Sequence, residues 1–222
     1  MKRHGHKKRM RKWVLLLSAL IIILYVLAVK GIGITHHAAN NDYGWNLLLV
    51  NHENYIPHNY KVELTELSNG EKVDSRIYPD LQDMFDDARA QGYGLFVAAG
   101  YRTTEKQQQL MDEKIDAYKN EGHSSSEAKR LAEQWVAIPG TSEHQMGIAV
   151  DINADKTVNS SDAVYTWLAE NAYKYGFIKR YPSDKTDITG VINEPWHYRY
   201  VGKEAAKKYI HRVYVLKSIL MN

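Results

Sequence analysis

The sequence predicts an α+β fold behind one N-terminal membrane-spanning helix. Three observations lead there. Short strand-like segments and longer helix-like segments are mixed without regular βαβ alternation. The first thirty or so residues differ in character from everything after them. The remainder, roughly 180 residues, is long enough to bury one proper core.

Residues 1–12 form a basic tail, Lys2, Arg3, Lys7, Lys8, Arg9, Arg11 and Lys12 with no acid among them. Trp13 to Val29 is apolar throughout except for Ser18. As a helix these 17 residues rise about 25 Å against a hydrocarbon core of about 30 Å. Trp13 and Lys30 suit the two interfaces, and the basic tail is expected to stay in the cytoplasm. That orientation puts the C-terminal part outside the cell. A cleaved signal peptide is the competing reading, because the run is short. No clean small-x-small site follows it; His37-Ala38-Ala39 is a poor one, and a lipobox needs a cysteine that this chain lacks. Residues 30–45, with Gly31, Gly33, Asn40 and Asn41, read as a linker.

From residue 46 onward the elements follow one another closely. Leu47 to Val50 reads as a strand ended by Asn51, and Lys61 to Leu64 alternates like a second. Tyr78 to Gln91 predicts a helix: Pro79 suits the first turn, Asp80 and Asp83 the positive end, and Leu81, Met84, Phe85 and Ala88 one face. Leu95 to Ala99 is a short buried strand that delivers Gly100-Tyr101-Arg102 to its C-terminal end. Thr104 to about Asn120 reads as helix. Ser124-x-x-Glu127 opens another toward Trp135 as a capping box. Ile148 to Ile152, Phe177 to Tyr181 and Trp196 to Val201 read as strands. Asp162 to Tyr175 and Gly202 to Leu220 read as helices.

Composition narrows the function classes. There is no cysteine, which excludes disulfides, a thiolate nucleophile and Cys-based zinc fingers. The net charge of +3 misleads: residues 13–222 hold 22 of the 29 basic residues but all 26 acidic ones, so the folded part is mildly acidic. Nucleic acid is therefore not an expected partner, since phosphate binding needs a cationic surface.

Two segments carry chemistry. Ser142-Glu143-His144-Gln145-Met146-Gly147-Ile148-Ala149-Val150-Asp151 and Glu194-Pro195-Trp196-His197 together supply two imidazoles, one carboxylate ligand and one spare carboxylate. That is the inventory of a catalytic zinc site: three protein ligands, an open position and a base beside it. His144 and Asp151 are separated by Gly147, which permits a sharp turn between them. The spacing is not HExxH, so helical zincin geometry does not apply. Pro195 keeps Glu194 out of the α region. In an extended chain residues three apart point to opposite faces, so Glu194 and His197 can share a site only through a turn or bulge at Pro195. On spacing alone a structural role for these side chains stays open, as it does for most of the ten histidines.

The two motifs resemble those of the LAS-type zinc peptidases, and within them the VanY-type D-alanyl-D-alanine carboxypeptidases and the bacterial L,D-carboxypeptidases. The likeness runs from about Leu47 to about Val201. It implies a small, mostly antiparallel central sheet with flanking helices, in an extracellular domain spanning 46–222. It also implies one Zn²⁺ per chain on His144, Asp151 and His197, with Glu194 as general base. Gly100-Tyr101-Arg102-Thr103-Thr104-Glu105-Lys106-Gln107 resembles the family's Gly-Tyr-Arg-Ser-x-x-x-Gln segment. Arg102 is thereby expected at the substrate and the developing oxyanion, with Gln107, Ser142 and Tyr181 as further substrate contacts. Thr103 departs from the usual serine, and its methyl is expected to narrow the pocket.

The implied substrates are peptidoglycan stem peptides or precursors ending in D-alanine, acted on by a monomer anchored in the cell membrane. D,D and L,D specificity both remain open, as does the physiological role. An endopeptidase of the same fold and a non-catalytic zinc-bearing wall-binding protein are the alternatives; the intact Glu194 speaks against the latter.

Overall fold

The computed structural model describes residues 37–38 and 44–212. The basic tail at 1–12 and the expected anchor at 13–29 lie outside them, as do most of the linker and residues 213–222. Among the described residues no helix is long and apolar enough to cross a membrane.

Among the described residues the strands run in chain order as β1 (His37–Ala38), β2 (Asn54–Tyr55), β3 (Leu64–Glu66), β4 (Lys72–Asp74), β5 (Leu95–Ala99), β6 (Ala149–Ala154), β7 (Phe177–Tyr181) and β8 (Glu194–Tyr200). The helices are α1 (Tyr78–Ala90), α2 (Thr104–Asn120), α3 (Ser125–Ala132), α4 (Ser161–Asn171), α5 (Thr186–Thr189) and α6 (Lys203–Arg212). The central sheet has four strands in the order β5-β6-β8-β7, every neighbouring pair antiparallel. β3 and β4 make a small antiparallel hairpin, and β1 and β2 a two-residue parallel pair. The expected α+β class with a small antiparallel sheet is what the chain forms.

Local chemistry explains the helix starts. Pro79 opens α1, whose Leu81, Met84, Phe85 and Ala88 are all buried. Thr103 caps α2 by accepting from Lys106 N, Ser124 caps α3 by accepting from Glu127 N, and Ser160 caps α4 by accepting from Ala163 N. Val164, Trp167 and Leu168 turn the inner face of α4 into the core, where they join Ile148, Val150 and Ile152 around β6. Each such side chain contributes about 1.5–3 kcal/mol when fully buried.

Several expectations need correction. Leu47 to Val50 is not a strand: a 3₁₀ turn covers Trp45–Leu47 and the following residues are extended without a sheet partner. Leu48 and Val50 are buried, so the apolar alternation was real. The backbone, however, is served by a side chain, since Arg199 Nη2 donates to Asn46 O at 3.1 Å and to Leu48 O at 3.0 Å. The second strand begins at Leu64, where the 61–64 expectation ended. The Ser124-capped helix stops at Ala132, short of Trp135. The helix expected over 162–175 is α-helical only to Asn171 and finishes as a 3₁₀ turn, Ala172–Tyr175, before Gly176 at φ 85°. β1, which falls within the expected linker, and β2, β4 and α5 were not anticipated.

Among these, β4 bears directly on the motif segments. Its Lys72 O accepts from Tyr101 N at 2.6 Å, and its Asp74 N donates to Gly147 O at 2.9 Å. One short strand thus ties the Gly100-Tyr101-Arg102 segment to the turn that carries His144.

Candidate metal centre

Strand register places two of the three expected ligands. Asp151 on β6 and His197 on β8 are directly opposed, and Ala99 at the end of β5 faces Asp151 from the other side. His144 lies in the 3₁₀ turn Glu143–Met146 that leads into β6, and Gly147 closes this turn at φ 71°, a left-handed conformation that suits glycine. A Cβ on Gly147 would also stand 2.9 Å from Asp74 N. Arg102 N donates to His144 O at 3.2 Å, which fixes the turn against the segment after β5.

The three side chains converge. Asp151 Oδ1 is 3.3 Å from His144 Nε2 and 3.1 Å from His197 Nδ1, and one ligand atom from each of the three residues lies within 4.8 Å of the others. The imidazole rings stand nearly perpendicular, with centroids 4.9 Å apart. Asp151 Oδ1 is buried and meets no aligned hydrogen-bond donor among the described residues. A buried carboxylate oxygen left this way, between two imidazole nitrogens, fits a cation.

The outer atoms of each ligand are occupied in a manner that orients the inner ones. His144 Nδ1 lies 2.8 Å from Gly100 O, so this ring donates there and turns Nε2 inward. His197 Nε2 lies 3.4 Å from Glu143 Oε2, which turns Nδ1 inward. Arg102 Nη2 donates to Asp151 Oδ2 at 2.7 Å and leaves Oδ1 for the centre. The donor set therefore suits a Zn²⁺ bound by His144 Nε2, Asp151 Oδ1 and His197 Nδ1.

Glu194 reaches the same place through a bulge. Lys179 pairs with Tyr198, but Tyr181 pairs with Glu194, so two steps along β7 answer to four along β8. The extra residues fall around Pro195 and Trp196, where the sequence required a bend. Glu194 Oε2 ends 3.6 Å from His197 Nδ1.

Burial and charge set the protonation of these groups. Burial pushes the Glu194 carboxyl up to about 7, with the Asp151 and Glu143 charges adding to it against the pull of His197 and Arg102. Burial lowers His144. For His197 burial also acts downward, but its contacts with the Asp151 and Glu143 carboxylates outweigh it and raise the imidazole to about 9. Asp151 is held well below the usual carboxylate range by the two histidines in spite of its burial.

A cleft of about 430 Å³ opens onto this point, and Arg102, Gln107, Ser142 and Tyr181 all line it. Gln107 is buried, and its Nε2 donates to Ala137 O at 2.7 Å. The Tyr181 ring packs 4.9 Å from the His197 ring. Burial raises its hydroxyl far enough that it stays a neutral donor. Thr103 is exposed, is absent from the cleft lining, and uses its hydroxyl to cap α2. Its methyl therefore does not narrow the cleft, contrary to expectation.

Sequence reasoning missed Glu143, Arg180 and Arg199, which form a buried charge cluster behind His197, and Trp135 and Val136 on the cleft wall. Glu143 is adjacent to a ligand in the motif, but nothing local indicates that it serves the other histidine.

A three-ligand site of the catalytic zinc type, built on an antiparallel sheet with a spare acid and a cleft before it, defines the class of this protein. The chain matches the model of the VanY family, D-alanyl-D-alanine carboxypeptidase, over residues 70–203, and belongs to that family. A curated D-alanyl-D-alanine carboxypeptidase of Enterococcus faecalis is 61% identical over 176 residues, 79% of this chain and 66% of that protein. A solved structure of the vancomycin-resistance D,D-pentapeptidase VanY in complex with Zn(II) shares 61% identity and a TM-score of 0.78, covering 79% of this chain and 99% of the other. VanYB in complex with D-alanine-D-alanine gives 61% identity and a TM-score of 0.79, covering 80% and 98%. The chain spans between 52% and 66% of the length of the curated relatives it matches.

Proposed function

We propose that this chain is a zinc-dependent carboxypeptidase that removes a C-terminal D-alanine from peptidoglycan stem peptides. One observation carries the reading: His144 Nε2, Asp151 Oδ1 and His197 Nδ1 meet at one point while Glu194 Oε2 stands beside them, 3.6 Å from His197 Nδ1. D,D specificity is the favoured form, because the relatives at 61% identity are described as D,D-pentapeptidase and as bound to D-alanine-D-alanine.

When bound at such a site, zinc supplies Lewis acidity and brings the pKa of its water to about 7. Glu194 is the group placed to take a proton and return it to the leaving amine. Arg102 has five N–H donors and uses one on Asp151, so others remain to face a carbonyl oxygen or a terminal carboxylate in the cleft. Ser142 and the neutral Tyr181 hydroxyl add hydrogen-bonding capacity beside it, and Gln107 shapes the wall through its bond to Ala137.

The placement outside the cell rests on the sequence. Trp13–Val29 serves as a single-pass anchor with the basic tail in the cytoplasm, and residues 30–45 give the catalytic domain reach toward the wall.

The test is incubation of the zinc-loaded chain with muropeptides ending in D-Ala-D-Ala or in a single D-Ala, followed by mass spectrometry. Loss of one alanine from the former is expected. Larger fragments would make it an endopeptidase, and intact peptides with zinc bound would make it a wall-binding protein.

A further inference from the structure

Behind the metal ligands lies a group of charges that the proposed reaction does not use. Glu143 is 2% exposed, Arg180 5% and Arg199 0%. They come from three places: the turn before β6, β7 and β8. The two oxygens of Glu143 divide their work. Oε1 accepts a hydrogen bond from Arg180 Nε at 2.8 Å and forms an ion pair with Arg199 Nη1 at 3.0 Å, while Oε2 faces His197 Nε2 at 3.4 Å. Arg199 is in turn held by Tyr200 O, Asn46 O and Leu48 O, so the clamp cannot slide.

Stability does not explain this arrangement. A buried ion cluster is often no more stabilising than apolar residues of the same volume, because each charge must leave water. The cluster does, however, end asymmetrically on one metal ligand. His144 is oriented by a backbone carbonyl, Gly100 O, whereas His197 has the Glu143 side chain in that role. Glu143 is also next to His144 in the chain, so a free carboxylate there would be a competing ligand for the same cation.

We propose that Glu143 is a positioning residue for the metal centre. Clamped by Arg180 and Arg199, it keeps His197 protonated on Nε2 with Nδ1 turned to the metal, and it is itself held away from the metal. The inference rests on the metal site of the proposed function.

The experiment compares Glu143→Gln with the native chain, both full length. Glutamine keeps the volume, but with its oxygen on the arginines its NH₂ meets His197 Nε2. It then favours the tautomer that carries its proton on Nδ1. Zinc affinity, measured by competition with a chelator at a temperature where the metal-free variant is still folded, is expected to fall about 10–100-fold, while the two buried arginines left without their anion lower the melting temperature of the metal-free protein. Unchanged affinity in the variant would overturn the inference. So would a loss of affinity fully matched by unfolding of the metal-free protein, which would make the cluster merely structural.

Nitrogen NMR of ¹⁵N-histidine-labelled, zinc-loaded native chain decides the matter even when the variant does not fold. His197 protonated on Nε2 and coordinated through Nδ1 is expected; coordination through Nε2 would overturn the inference. Failure of the native chain to bind zinc at all would instead remove the proposed function, so the two failures are distinct.

Discussion

Arg102 and Asp151 share a single carboxylate between two tasks: Nη2 of the arginine holds Oδ2 at 2.7 Å, and Oδ1 is left buried toward the two histidines. The arginine that faces the cleft therefore also fixes the orientation of a ligand. Arg102→Met is expected to lower zinc affinity by about 10–100-fold, the usual cost of losing such a partner. With saturating zinc, turnover should still fall by about 10²–10³ if Arg102 also stabilises the developing oxyanion. Chelator competition and steady-state kinetics on the same preparation separate the two effects. Turnover fully restored by added zinc would confine Arg102 to holding Asp151.

In the proposed reaction Glu194 moves protons and does not bind the metal. Glu194→Gln is expected to retain zinc and to reduce release of D-alanine by about 10²–10⁴. His144→Ala should lose both the metal and the activity. Metal content by elemental analysis, read beside product formation, distinguishes these outcomes. A Glu194→Gln protein with native turnover would remove Glu194 from the chemistry.

The close approach at Gly100 gives a third prediction. A Cβ there would stand 2.2 Å from Lys72 O, a backbone atom that is itself bonded to Tyr101 N. Gly100→Ala must push β4 away from the Arg102 segment and move Gly100 O, the acceptor that orients His144. Overpacking of this kind costs about 1–3 kcal/mol, measurable as a lower urea midpoint. Zinc affinity should fall with it.

A pH effect on stability is expected far from the centre. The Tyr175 hydroxyl donates to Asp87, docking the 3₁₀ turn after α4 onto α1. Burial, followed by the hydrogen bond to Asp87, raises the tyrosine to about 12. The bond to Tyr175 lowers the Asp87 carboxyl. The raised tyrosine contributes stability that is complete below its unfolded pKa of about 10 and is lost as pH climbs through about 12. The depressed aspartate contributes stability present above the usual carboxylate range and lost on acidification. Tyr175→Phe should flatten the alkaline limb of a thermal-stability profile between those two values. An unaltered limb would show that the pair contributes nothing there.

Much of the site could be read along the chain because its ligands stand in compact motifs. Helix starts were equally legible: Thr103, Ser124 and Ser160 each bond a backbone amide three residues on, a contact that depends on nothing distant. The bend at Pro195 could be demanded from extended-chain geometry, but its form, four steps along β8 against two along β7, could not.

Residue chemistry in sequence therefore determined which side chains can bind a metal, which segments coil into helices and which apolar positions enter the core. The tertiary structure alone decided that Leu47–Val50 is bonded by the Arg199 side chain and not by a strand, that β4 straps the motif loops together, and that Glu143 attends His197 and not its neighbour His144. The physical reason is common to all three. Each depends on partners brought together from distant parts of the chain, and local periodicity records only which face is apolar, not what that face will meet.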